Sequence, residues 1–243
     1  MTRDLSDAVV VVAGAAGAAG PPTLEALLAR GATVVAVDHA ADRLDPVVAR
    51  AAENAPAGRA VGLVVDLLDE DATREAMAGV LAEHGRIDGL FHLVGGWRGG
   101  AGIVEADLGD WALLHDLLIV TLQHTTRATH DALVTSGGRL AIVSTTQAQQ
   151  PSATNAAYAA AKAAAEAWTL AVADSFAKAG ERDQVAAATI LQIKALLTDA
   201  MREARPDRKF PGYSHVDDVA RELVGLFDVP ATELNGARRS LTA

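Results

Sequence analysis

Residues 9–22 read VVVVAGAAGAAGPP, and the reading of this stretch decides the fold. A β-branched run, a glycine-alanine turn and a diproline follow one another without a gap. Val9 to Val12 are stiff side chains that favour an extended backbone. Gly14, Gly17 and Gly20 let the chain turn sharply and approach another surface closely. Pro21 and Pro22 suit the first turn of a helix, where amides have no helical acceptor anyway. The stretch therefore reads as strand, tight turn and helix N-terminus. Its chemical reading is a cradle for a pyrophosphate, with the Ala19 and Gly20 backbone at the helix start facing the anion. An ordinary strand-to-helix turn in an alanine-rich chain is the competing reading.

Working outward, residues 32–38 (ATVVAVD) form a second extended run that ends on Asp38. A carboxylate there accepts hydrogen bonds from both hydroxyls of an adenosine ribose and repels a 2′-phosphate. NAD(H) is therefore the expected cofactor. Residues 59–66 end on Asp66, where an adenine edge would lie; a helix cap or solvated acid is the other reading. Further strands are expected at 87–96, 137–145 and 183–191. Helices are expected at 21–30, 41–53, 69–85, 108–134, 153–180 and 215–227. A weaker segment closes the chain at 233–241. Strands with little polar alternation, separated by helices, form a parallel sheet covered on both faces. The fold class is thus α/β, a three-layer α/β/α Rossmann arrangement with a doubly wound sheet in strand order 3-2-1-4-5-6-7. No linker interrupts residues 1–243, which read as a single domain with a dinucleotide-binding turn. One irregular zone spans 192–213.

Acidic residues outnumber basic ones, 31 to 21, for a formal charge of -10. That balance speaks against nucleic acid or an anionic membrane as the main partner. There is no cysteine, so disulfides and thiolate chemistry are excluded. No run reaches the roughly 18 apolar residues of a membrane span, and the expected location is cytoplasmic. The seven histidines form no metal-binding motif, and no metal is expected.

These elements resemble the short-chain dehydrogenase/reductase family over almost the whole chain. Its glycine pattern, Thr-Gly-x-x-x-Gly-x-Gly, is met by Gly14 and Gly20, with Ala13 and Ala18 replacing the threonine and middle glycine. Its Tyr-x-x-x-Lys is met by Tyr158 and Lys162, which share a helix face. Reduction of a carbonyl or imine by hydride creates a basic atom that needs a proton. A phenol supplies it, and a nearby ammonium moves the phenol toward working pH. The resemblance implies that Lys162 also holds the nicotinamide ribose and that Gly95 lines the cofactor. Thr145, thirteen residues before Tyr158, takes the place of the serine that orients substrate. It implies a substrate lid near 192–213 and a homodimer or homotetramer formed through the two long helices. Arg202, Arg205, Arg208 and Lys209 in that lid would suit an acidic substrate, or are simply exposed loop charge.

Three departures stand out. His92-Leu93-Val94-Gly95 replaces Asn-Asn-Ala-Gly, Leu118 replaces the asparagine of the proton relay, and Gln192-Ile193 replaces Pro-Gly. Residues 94–100 (VGGWRGG) and 186–210, with Thr198 and Met201, resemble the dihydropteridine reductase branch. That branch uses NADH on an imine-like quinonoid dihydropterin, already activated for hydride. Trp97 and Arg98 are candidate substrate contacts; a loop anchor and a solvated charge are the alternatives. His92 is expected to bond backbone near the sheet end, and Trp111 and Trp168 to pack on their helices. The resemblance therefore implies an NADH-dependent oxidoreductase with Tyr158 as proton donor. The alternative is a non-catalytic dinucleotide-binding subunit on the same fold.

Overall fold

The computed structural model describes residues 3–179 and 186–241. The valine run forms β1 (Val9–Ala13), buried along its whole length. There follow α1 (Gly20–Leu28), β2 (Thr33–Asp38), α2 (Ala41–Asn54), β3 (Arg59–Val64), α3 (Glu70–His84) and β4 (Gly89–His92). Next come α4 (Leu108–His115), a π-helical turn (Asp116–Val120), α5 (Thr121–Ser136), β5 (Arg139–Thr145) and α6 (Ala156–Ala179). After β6 (Ala187–Ile193) come β7 (Leu196–Leu197), α7 (Asp199–Ala204) and β8 (Ser214–His215). The chain continues with α8 (Val216–Gly225), α9 (Ala231–Leu234) and β9 (Arg238–Ser240).

The main sheet is parallel, in the order β3-β2-β1-β4-β5-β6-β9. This is the expected order; the last strand is ninth in the chain because β7 and β8 pair separately with each other. Period-two alternation sends the β1 side chains to opposite faces. Val10 and Val12 join a core with Leu24, Leu27 and Leu28 of α1 and Leu223 of α8. Val9, Val11 and Ala13 join the other core, with Met77 of α3, Leu133 of α5 and Phe176 of α6. Each fully buried valine contributes roughly 1.5–3 kcal/mol, so a strand buried on both faces is anchored twice. The edge strand β9 is fastened by Asn235, which accepts from the Ala188 amide at 3.1 Å and donates to the Ala173 carbonyl at 2.8 Å.

Several boundaries differ from expectation. β4 stops at His92, though the Leu93 amide still donates to Ala13 of β1, and the chain leaves the sheet as an exposed loop over residues 95–100. β6 runs on to Ile193; residues 183–185 of the expected strand, and residue 180 of the expected helix, lie outside the described residues. The helix expected over 108–134 is interrupted by the π-helical turn, where the Thr121 amide bonds back to Asp116. Trp111 is 40% exposed and not a packed core residue. Trp168 is half-buried and donates from Nε1 to Thr126 at 3.0 Å.

Candidate active site

The glycine turn is shaped by close approaches. Gly14 has φ +78, and a Cβ there would lie 2.7 Å from the Val94 amide nitrogen. A Cβ on Gly20 would lie 1.9 Å from the Ala15 carbonyl oxygen. Neither position admits a side chain. Gly17 is less constrained: its Cβ would lie 3.1 Å from the Gly14 oxygen. Ala18, in the place of a glycine, is exposed, so its methyl meets no wall. The Gly14 and Ala15 amides donate to Val37, Gly17 to Gly14, and Gly20 to Gly17. Ala16 donates to Asp38 at 3.1 Å. Pro21 and Pro22 have no N–H. Among the described residues, Ala18 and Ala19 are the turn amides left without an internal acceptor. The small cradle, its two open amides and the start of α1 fit a dinucleotide pyrophosphate.

Asp38 is buried at the end of β2, accepting from Ala16 through Oδ2 and from the His39 amide through Oδ1. Arg43, which the sequence reading passed over, reaches from α2 to donate to the Ala16 carbonyl at 3.0 Å. One turn thus carries a fixed carboxylate and an exposed guanidinium. Asp66 is exposed and accepts from the Leu68 amide at 3.0 Å, a local turn contact of the kind its alternative reading described. Gly95 lies exposed just beyond Val94, beside the turn.

Tyr158 and Lys162 lie one turn apart on α6, with the ammonium 6.0 Å from the phenol ring centroid. The ring packs in an apolar cluster with Leu114, Leu118, Ile119 and Ala161. That burial pushes the phenol up to about 12. Lys162 is buried and donates to the Val143 carbonyl at 2.7 Å. Burial pushes its amine down to about 8, and the Glu166 carboxylate opposes the fall. Thr145 is only 1% exposed, and its hydroxyl accepts from the Gln147 amide at 3.3 Å. It caps the turn after β5, the local role that its residue type and place also allow.

His92 does not bond backbone as expected. Its Nε2 lies 3.2 Å from the Thr121 hydroxyl and its Nδ1 lies 3.1 Å from that of Thr125. Burial, and then the nearby Lys162, push its ring down to about 3, so the imidazole is neutral.

Glu166 was missed. It is 3% exposed and gathers Ser144, Gln192, Gln149 and Arg238 from three strands and a loop. The signal available was a lone carboxylate in the apolar run AAAEAW of α6.

Trp97 is 54% exposed, yet its Nε1 donates to Asn155 at 3.1 Å. The Gly100 amide donates to Thr154 at 2.7 Å. The loop after β4 is therefore tied to the segment leading into α6, and the indole is both anchored and open. Arg98 is exposed and donates only to the Trp97 carbonyl. Around α7, Arg202, Arg205, Arg208, Phe210 and Tyr213 line a cavity of about 360 Å³. Thr198 caps α7, accepting from the Met201 amide at 3.2 Å.

Comparison with known proteins places this geometry. The family model for short chain dehydrogenase matches residues 8–209. A short chain dehydrogenase of Pseudocercospora fijiensis is 30% identical over 162 residues, covering 66% of this chain and 52% of that protein. The chain thus spans about half the length of that relative. An NADPH-bound short chain oxidoreductase of Pseudomonas aeruginosa, described as containing an atypical catalytic center, superposes with a TM-score of 0.85 at 22% identity. The match covers 98% of this chain and 96% of that one. An NAD+-bound xylitol dehydrogenase superposes with a TM-score of 0.82 at 17% identity, covering 99% of each chain. At such identities the likeness establishes the fold.

Proposed function

The chain belongs to the short chain dehydrogenase family, and on that premise we propose that it is an NADH-dependent reductase of a small carbonyl, quinone or dihydropterin-like imine. The observation that carries this reading is the pair Tyr158 and Lys162, held one turn apart beside the ends of β4 and β5. Gly14, Gly17, Ala19, Gly20, Asp38, Asp66, Gly95 and Lys162 would hold the dinucleotide. Bound there, a nicotinamide dinucleotide supplies the hydride.

The protein's own part is to give a proton. With its phenol near 12, Tyr158 is protonated about 10⁵-fold over at pH 7. It stands as the protonated acid that a reduction needs, but burial moves it away from working pH, opposite to the shift expected from the nearby ammonium. Lys162, near 8, is charged in about nine molecules of ten at pH 7. Its ammonium steadies the phenolate as the proton leaves. No asparagine relay operates through Leu118, which packs with Tyr158 in an apolar cluster. Thr145 is enclosed, so little help comes from the serine position. A substrate already activated for hydride, as a quinonoid dihydropterin is, needs least from both. Trp97 supports this reading by offering an open, anchored ring face beside the site, and Arg98 lies next to it. Residues 1–243 then form one catalytic domain, with 192–213 as its lid.

NADH is favoured over NADPH because Asp38 is buried and fixed by two amides at the ribose end, while Arg43, the opposing charge, is tied to the Ala16 carbonyl. Isothermal titration with both nucleotides, followed by a panel of quinonoid dihydropterins, quinones and secondary ketones, tests the reading. Tight NADH binding with reduction of the activated substrates supports it. Tighter NADPH binding contradicts it, and reduction of plain ketones alone would select the carbonyl substrate over the activated imine. A second reading, a non-catalytic dinucleotide-binding subunit, is favoured by the apolar surroundings of Tyr158. NADH binding without reduction of any substrate would select it. No helix among the described residues is long and apolar enough to cross a membrane, and we place the protein in the cytoplasm. We also propose a homodimer or homotetramer through the outer faces of α5 and α6, where Thr126, His130, Trp168 and Ser175 line a groove.

A further inference from the structure

Two consecutive residues of β5 grip two consecutive turns of α6. The Val143 carbonyl accepts from Lys162 at 2.7 Å, and the Ser144 hydroxyl donates to Glu166 Oε1 at 2.6 Å. Gln192 lies beside Ser144 in the β5–β6 register and donates to the same oxygen at 3.3 Å. The other oxygen, Oε2, accepts from Gln149 at 2.8 Å and from Arg238 of β9 at 2.8 Å. Four donors surround the carboxylate, two on each oxygen. A buried charge is costly unless its environment is built to hold it, and here three strands contribute. Among the described residues its ion-pair partner is Arg238, whose side chain is 39% exposed. The departure at Gln192, where the family carries proline, supplies one of the four donors.

We propose that Glu166 is the positioning residue for Lys162: its carboxylate, locked to β5, β6 and β9, holds the ammonium-bearing turn of α6 in register and keeps the buried amine charged. The two side chains make no direct ion pair, so the coupling acts across one helical turn through a poorly solvated interior. Glu166 opposes the downward push of burial on the Lys162 amine. The other groups facing that amine are the Tyr158 phenol on α6, the neutral His92 ring from β4 and the Val143 carbonyl of β5. Arg238 acts on it through Glu166. The inference rests on the reading of Lys162 as the group that tunes Tyr158.

The test exploits composition: the chain has only four lysines. In protein labelled with ¹³C at lysine Cε and free of nucleotide, each amine titrates as its own signal, and Lys162→Met assigns the one of interest. Glu166→Gln should move the Lys162 midpoint down by about one pH unit, a tenfold change in its protonation equilibrium. Arg238→Met should move it up, because Glu166 then loses its competing cation. The alkaline limb of kcat/KM should move with the midpoint in each variant. Opposite shifts are the signature of charge, whereas loosened packing around Lys162 would move both variants the same way. An unmoved midpoint in both variants, or a downward shift in both, overturns the proposal. A moved midpoint with an unmoved alkaline limb overturns the role in the reaction. Should Glu166→Gln fail to fold, the upward shift in Arg238→Met is still required. The titration is read on the protein alone, so it is independent of whether NADH binds.

Discussion

Ala16 carries a carboxylate on its amide and a guanidinium on its carbonyl, from Asp38 and Arg43. On the proposed reading, those two charges bear on cofactor choice, with the His39 ring 3.2 Å from the same carboxylate. Asp38→Ala should weaken NADH binding about tenfold or more, since a hydrogen bond to a charged group contributes roughly 1.5–3 kcal/mol. It should also close most of the gap to NADPH. Arg43→Ala should widen that gap. Calorimetric titration of both variants checks the pair; an unchanged gap in Asp38→Ala would show that the carboxylate serves only the turn. The positions of Asp38 at the end of β2 and of Tyr158 and Lys162 one turn apart on α6 were legible because each sits at a fixed offset from a strand end or on one helix face. Arg43 was not, because nothing in the DHAADR stretch shows which way a helical arginine reaches.

The π-helical turn between α4 and α5 carries Leu118, which packs with Tyr158. It inserts an extra residue into the helix that carries Leu118, and such turns often mark functional sites. The Thr121 hydroxyl donates to the Leu117 carbonyl at 2.7 Å, as Thr125, Thr126 and Thr129 do to their own i−4 carbonyls. Leu118 is set among Leu114, Ile119 and Ala161, against Tyr158. Leu118→Asn should bring the phenol down from about 12 toward 10, by about one unit. The buried amide should cost roughly 1–3 kcal/mol of stability. With two tyrosines in the chain, absorbance titration of tyrosinate resolves the effect; an unmoved upper midpoint would mean that Leu118 does not set the phenol's surroundings. The strands and their order were legible, because unbroken apolar runs between helices permit few topologies. The π-helical turn was not: DLLIVTL has an ordinary helical composition, and one inserted residue leaves no trace in it. Glu166 was hidden for a different reason, since its partners come from β5, β6 and β9 and no local pattern joins them.

The same sheet that places the site also places a titratable group in its middle. His92 sits at the end of β4, buried between the sheet and α5 and bonded to Thr121 and Thr125. Its ring is held near 3 in the folded protein, against about 6.5 when unfolded. The unfolded chain therefore binds the extra proton between those values. Stability from this residue is complete above about pH 6.5 and is lost as pH falls toward 3, at up to about 1.4 kcal/mol per pH unit. His92→Gln should flatten the fall in urea midpoint between pH 6 and pH 4 relative to wild type. An identical slope would show that carboxylates alone govern acid unfolding.

The central claim is that Tyr158 donates the proton in an NADH-dependent reduction. Its most direct test is a single-turnover experiment that follows NADH absorbance after mixing with a quinonoid dihydropterin, in wild type and Tyr158→Phe. Removing a positioned general acid costs about 10²–10⁴-fold, so the variant should bind NADH nearly as wild type does yet oxidise it at least 10²-fold more slowly. Equal rates of NADH oxidation in the two proteins would contradict the account.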